Sequence, residues 1–152
     1  MFPSWLVIGG VTLLMLVLIR PSPQGYRWFM RLRRPRWLTF EWAIPLIWTT
    51  IFIFGAWSAV LVWNASRPIW LMVWYLLLEI TILAYTPVMC HFRSLRIGTL
   101  IGGLGFILGC LLTIQVFPIS STAGWLLVPF LLWSPIGTFV TWQMAQLNPA
   151  DS

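Results

Sequence analysis

The chain has 152 residues, of which 60% are hydrophobic, 16% aromatic and 8% charged, and its mean hydropathy is +0.90. An ordinary soluble domain carries roughly 25% charged residues, so this composition cannot clothe a water-soluble enzyme, and it is too apolar for disorder. All nine basic residues are arginines, and the acids are Glu41, Glu79 and Asp151, for a net charge of +6. The arginines flank apolar runs instead of forming a basic face on a soluble module. They read as topology signals and phosphate-headgroup contacts, with membrane lipid as the partner and no nucleic acid.

Five apolar runs follow in chain order, at about 5–19, 42–63, 69–90, 97–117 and 123–144. A bilayer span takes about 20 apolar residues, and the later connections are only a few residues long, so sequential helices pack antiparallel. The expectation is an all-α integral, multi-pass membrane protein. It is a single domain over 1–152, a five-transmembrane-helix bundle. The first run has no basic residue ahead of it and no small-x-small site behind it, and it reads as an uncleaved anchor. Arg20, Arg27, Arg31, Arg33, Arg34 and Arg36 lie in the segment 20–41, and Arg93 and Arg96 lie between the third and fourth runs. Only Arg67 falls on the other side. This eight-to-one split predicts the N-terminus outside and the C-terminus in the cytoplasm.

The segment 20–41 alternates arginines with aromatics around Pro35. It is read as a basic interfacial stretch or as a lid, with Arg34 pairing to ligand carboxylates and Trp28 and Trp37 stacking on a flat ring. Of twelve tryptophans, Trp5, Trp42, Trp63, Trp70, Trp125 and Trp142 sit near span ends and suit an interfacial belt. Trp48, Trp57 and Trp133 fall inside spans, where an indole N–H wants a partner. Trp48 and Trp133 are therefore candidate pocket residues.

Glu79 lies at the middle of the third run, with no Lys or Arg inside any run to meet it. It is expected to be protonated, or hydrogen-bonded to a hydroxyl or amide on a neighbouring helix, with Tyr75 the nearest group on its own helix. Gly98, Gly102, Gly105 and Gly109 have GxxxG spacing, which permits either packing within the bundle or a homodimer. Cys90 and Cys110 read as small packing residues without a disulfide. His91 is read as water-facing in preference to a haem ligand. No nucleophile, paired-carboxylate, metal or P-loop pattern occurs, so no catalytic residue, metal site or required cofactor is assigned.

The stretch from Trp28 to Trp63 resembles the signature of the TspO/MBR family, the tryptophan-rich sensory and translocator proteins. Trp28-Phe29 stands for its Trp-Tyr, and Arg34-Pro35-Arg36-Trp37 for its Lys-Pro-x-Trp. Trp42, Pro45, Ile47, Trp48 and Thr49 keep the spacing of its second-helix motif, with Phe52 one turn later and Ser58, Val62 and Trp63 at the helix end. Tyr85-Thr86-Pro87 and Leu127 to Trp133 resemble its third- and fifth-helix motifs. Thr39-Phe40, Leu78, Ile82 and Thr141 depart from it. The resemblance implies a pocket on the cytoplasmic side, lidded by the segment 20–41. Trp48, Phe52, Tyr85 and Trp133 would line it and Gly137 would leave room beside it, with Glu79 standing in for the missing amides. The implied ligands are porphyrin-like tetrapyrroles, such as haem or protoporphyrin, or sterol-like lipids, in sensing, transport or regulation. The other reading of the residues is a small structural subunit or assembly factor of a larger membrane complex.

Overall fold

The computed structural model describes residues 3–152. It contains α1 (Ser4–Leu18), α2 (Pro23–Met30), α3 (Ile44–Ser66), α4 (Ile69–Phe92), α5 (Leu95–Val116) and α6 (Ser121–Leu147). A 3-10 turn, Glu41–Ala43, leads into α3, and another, Pro149–Asp151, follows α6. No strand occurs among the described residues.

Helices α3 to α6 are each long and apolar enough to cross a membrane. At about 1.5 Å per residue, the 22 residues of α5 already reach about 33 Å, past the roughly 30 Å hydrocarbon core. The first span is different. Its 15 residues reach only about 22 Å, and α1 attains span length only together with α2, which bends away by 79°. The protein is thus a multi-pass integral membrane protein with four long spans, or five when α1 and α2 count as one broken span.

The bundle is built around α6, which packs along α5 and α3, while α4 packs on α5. The glycines of α5 explain the closest of these approaches. An added Cβ would meet Met89 and Thr141 at Gly98, Thr138 at Gly102, and the Phe130 ring at Gly109, while Gly105 faces Thr81. These four positions are therefore met from within the chain, by α6 and α4. The second half of α3 is held by a polar node. Ser58 is fully buried and donates to the Ala123 carbonyl at 2.7 Å, while the Tyr75 hydroxyl lies 2.6 Å from Ser58 Oγ and so donates to it. Three helices thus share one satisfied chain of hydrogen bonds in a medium where an unpaired group is costly.

α1 is the loosest element. Only Thr12 is buried along it, and its first turn is tied to the end of α3 by Ser4 Oγ donating to Asn64 Oδ1 at 2.8 Å. α3 and α4 both end on arginines in the left-handed conformation, Arg67 at φ 50° and Arg93 at φ 49°, which turn the chain sharply into the next helix.

Candidate functional site

The segment 20–41 is not all loop. Ser22 caps α2 by accepting from the Gly25 amide at 3.1 Å, and Pro23 occupies the first helical turn. That Ser-Pro pair is an ordinary helix-start signal, which the basic and aromatic alternation obscures. The buried face of α2 carries Gly25 and Trp28. Gly25 lies so close to Cys90 that an added Cβ would come within 2.8 Å of the Cys90 Cβ. Trp28, Leu32, Met89, Cys90, Leu95 and Met144 form one core, with Tyr85 packed against it. This brings Arg93, Arg96 and the end of α6 to the same end of the bundle as the six arginines of the lid, while Arg67 sits at the far end.

The lid is latched to the C-terminal turns of α6. Trp28 Nε1 donates to Asp151 Oδ1 at 2.8 Å. Asn148 accepts from the Arg33 amide and donates to the Arg33 carbonyl, both at 3.0 Å. Trp37 Nε1 donates to Gln143 Oε1, and its ring stacks on Phe139 with centroids 6.1 Å apart. Replacing Asn148 with alanine removes both bonds to Arg33, and trypsin cleavage within the arginine-rich lid is expected to quicken several-fold. Unchanged cleavage would show that the aromatic contacts alone hold it.

The latch decides what the candidate residues do. Trp28 is 3% exposed and is an anchor of the lid. Arg34 is engaged inside the lid. It donates to the Phe29 and Leu32 carbonyls at 2.8 and 2.6 Å, bridges to Glu41 at 3.1 Å and covers the Phe29 ring at 4.7 Å. Arg31, Arg33 and Arg36 are exposed and have no ion pair among the described residues. They, more than Arg34, are placed to meet an added carboxylate. Beneath the lid, Phe40 stands edge-on to Trp133 with centroids 6.3 Å apart, and Trp48 and Trp133 belong to one packed cluster. Trp133 is 7% exposed, yet its Nε1 has no hydrogen-bond partner. Gly137, one turn on, leaves its Cβ position 3.4 Å from that nitrogen. Tyr85 bonds to Thr141, which in turn donates to the Gly137 carbonyl at 3.1 Å. Tyr85 thereby joins α4 to α6 instead of presenting its hydroxyl to open space.

A well-formed apolar cavity lies elsewhere. It has a volume of about 430 Å³ and is lined by α1, α3, α4 and α6, reaching from the middle of the bundle toward the end away from the lid. Of the candidate residues, only Phe52 and Glu79 line it. Phe52 stands 6.0 Å from Trp48 by ring centroids, so it touches both regions. Trp63, read as a residue of the interfacial belt, also lines this cavity from the end of α3. Tyr75 is not the partner of Glu79, since its hydroxyl is taken by Ser58. Thr12, from α1, is the hydroxyl beside the Glu79 carboxyl, while Glu79 Oε1 is buried without a hydrogen-bond partner. Thr12 and Gly55 line the cavity without having stood out in the sequence. Thr12 carries a detectable signal, a lone polar side chain in an otherwise apolar run.

A bundle of long apolar helices, sealed at its arginine-rich end by a tryptophan-bearing lid, defines a polytopic membrane protein of the tryptophan-rich type. The profile of the TspO/MBR family matches residues 4–147, and the chain belongs to that family. The tryptophan-rich protein TspO of Bacillus cereus is 27% identical over 130 residues, covering 83% of this chain and 84% of that protein. The uncharacterized membrane protein YtaB of Bacillus subtilis is 26% identical, covering 93% and 97%. Protein CrtK of Rhodobacter capsulatus is 22% identical, covering 82% and 80%.

Proposed function

We propose that this TspO/MBR protein binds a flat tetrapyrrole of the protoporphyrin type beneath the lid, between α3 and α6, and serves in sensing or handling it. The observation that carries this reading is the buried, unpartnered N–H of Trp133. An unpaired donor in a water-free site costs about 1–3 kcal/mol, and a ligand carbonyl, carboxylate or ring nitrogen would relieve it. Trp48, Phe40 and Trp133 supply aromatic surface for a planar ring. The exposed arginines of the lid supply cations for propionates. The ligand enters when the latch to Asn148 and Asp151 opens, and its binding replaces the contacts that the closed lid makes. No catalytic step is assigned to it.

Titration of the purified protein with protoporphyrin IX, followed by quenching of tryptophan fluorescence, tests the reading. Saturable quenching at one equivalent supports it. Linear quenching no greater than that of free tryptophan in the same detergent would refute it. Stable purification as a stoichiometric complex with another membrane protein, without any binding of the porphyrin, would favour the structural-subunit reading.

The orientation is part of the proposal. The lid end gathers eight of the nine arginines, and the positive-inside tendency supports a cytoplasmic lid. A reporter active only outside the cytoplasm is expected to be silent when fused after Ser152 and active when inserted after Arg67. The opposite pattern would invert the protein and move the lid to the outer face.

A further inference from the structure

The cavity away from the lid has no part in that binding mode. It is walled by apolar side chains, with the aromatic rings of Phe52, Trp63, Tyr75 and Phe130 among them. Its volume of about 430 Å³ falls within the usual range for small-molecule sites, roughly 300–1,000 Å³. The Cβ position of Gly55 meets nothing within 4 Å, so α3 leaves room here that no neighbour fills. One polar group in the wall is unspent. Tyr75 and Ser58 satisfy each other, but Glu79 Oε1 has no partner. The sole ion pair among the described residues is Arg34–Glu41, in the lid, so the protein itself brings no cation to Glu79.

We propose that this cavity is a second binding site, for a compact hydrophobic amine whose protonated nitrogen donates to Glu79 while its apolar body fills the space beside Gly55. The orphan oxygen needs a donor, and a cation supplies both the donor and the opposite charge. Aromatic walls also attract a cation, whereas they offer nothing to an anion. A carboxylic acid of the same shape would set like charge against Glu79. An alcohol of the same shape would supply the donor without the charge. The site is independent of the tetrapyrrole reading, since it uses neither Trp133 nor the lid.

Adamantanamine, adamantanol and adamantane-carboxylic acid share one cage and differ only in the head group. Their binding to the protein in lipid nanodiscs, measured against empty nanodiscs, tests the assignment. The amine is expected to bind about ten-fold or more tighter than the alcohol, the increment of a charge-assisted hydrogen bond, and the acid not at all. Glu79→Gln is expected to bring the amine down to the level of the alcohol and to leave the alcohol unchanged. Gly55→Leu fills the space and is expected to abolish binding of both; it keeps Glu79, and so decides the matter if the Gln variant does not fold. Saturating protoporphyrin IX is expected to leave the affinity of the amine unchanged. Equal binding of amine and alcohol, an unaltered amine affinity in Glu79→Gln or Gly55→Leu, or displacement of the amine by the porphyrin would each overturn the proposal.

Discussion

Trp133→Ala is expected to weaken protoporphyrin IX binding about ten-fold or more, on the scale of ~1–3 kcal/mol for loss of a stacked aromatic. Trp133 is the indole that Phe40 meets edge-on and whose nitrogen has no partner. Truncating it also opens a hole in the core, where losing a large aromatic costs about 3–5 kcal/mol, so a folded variant must be secured separately. Trp133→Phe does this. It keeps a ring in the core and removes the unpaired donor, so the relief of the buried N–H offsets part of the cost of the smaller ring. The variant is then expected to fold with far less loss of stability than Trp133→Ala, while the affinity falls by at least the worth of one hydrogen bond, about five-fold. Trp48→Ala should behave like Trp133→Ala. Trp125, 66% exposed at the far end of α6, should be silent. Equal small effects at Trp48, Trp133 and Trp125, read by the same fluorescence titration, would mean that these rings serve only packing and the membrane interface.

A large effect on stability is also expected from adding a single methyl group at Gly109. Its Cβ position is occupied by the ring of Phe130 and lies 3.3 Å from Leu131 Cδ2, and Phe130 is only 4% exposed. Phe130 borders the far cavity on one side, but an alanine Cβ would still have to push its ring out of its present place. Gly109→Ala is therefore expected to destabilise the protein by about 1–3 kcal/mol, as overpacking does, and Gly109→Leu by more. Gly103→Ala is the matched control, because its Cβ meets nothing within 4 Å. There alanine should be neutral or stabilising, by up to ~1 kcal/mol from helix propensity. Unfolding midpoints in a mild detergent separate the two. Phe130→Leu, which shortens the obstructing ring, should recover part of the loss in Gly109→Ala. Similar midpoints for Gly109→Ala and Gly103→Ala would show that α5 and α6 are not in close contact.

The spans were legible because apolar length is a local property. The runs beginning near Trp42, Ile69, Ile97 and Ala123 became α3 to α6 with ends shifted by a few residues. The shortness of α1 and the helix α2 were harder to see. Arg20 and Pro21 mark the end of the run, but the break lies in the 79° bend, which depends on what α2 packs against. The glycine stripe announced a close approach and not its partner, since Thr138 and Phe130 are brought there by α6 alone. The site was only half legible for the same reason. The depth of Glu79 could be counted along the chain, whereas the long reach of Tyr75 toward Ser58 and the place of Trp63 in the cavity wall depend on how α3 and α4 are rotated. Trp28 and Arg34 stood out by type and spacing as residues of the segment 20–41 that would meet a ligand. Their tasks within it, a latch to Asp151 and an internal staple to Glu41, are set by the C-terminal turns of α6 and by the fold of the lid.

The central claim is that the unpaired N–H of Trp133 meets the tetrapyrrole under the lid. The indole N–H resonances of nitrogen-15-labelled protein report on it directly. Addition of protoporphyrin IX is expected to shift or broaden the Trp133 and Trp48 signals strongly, to perturb the Trp28 and Trp37 signals as the latch rearranges, and to leave Trp63 and Trp125 where they were. A large shift at Trp63 with Trp133 unmoved would place the porphyrin in the far cavity and contradict the account.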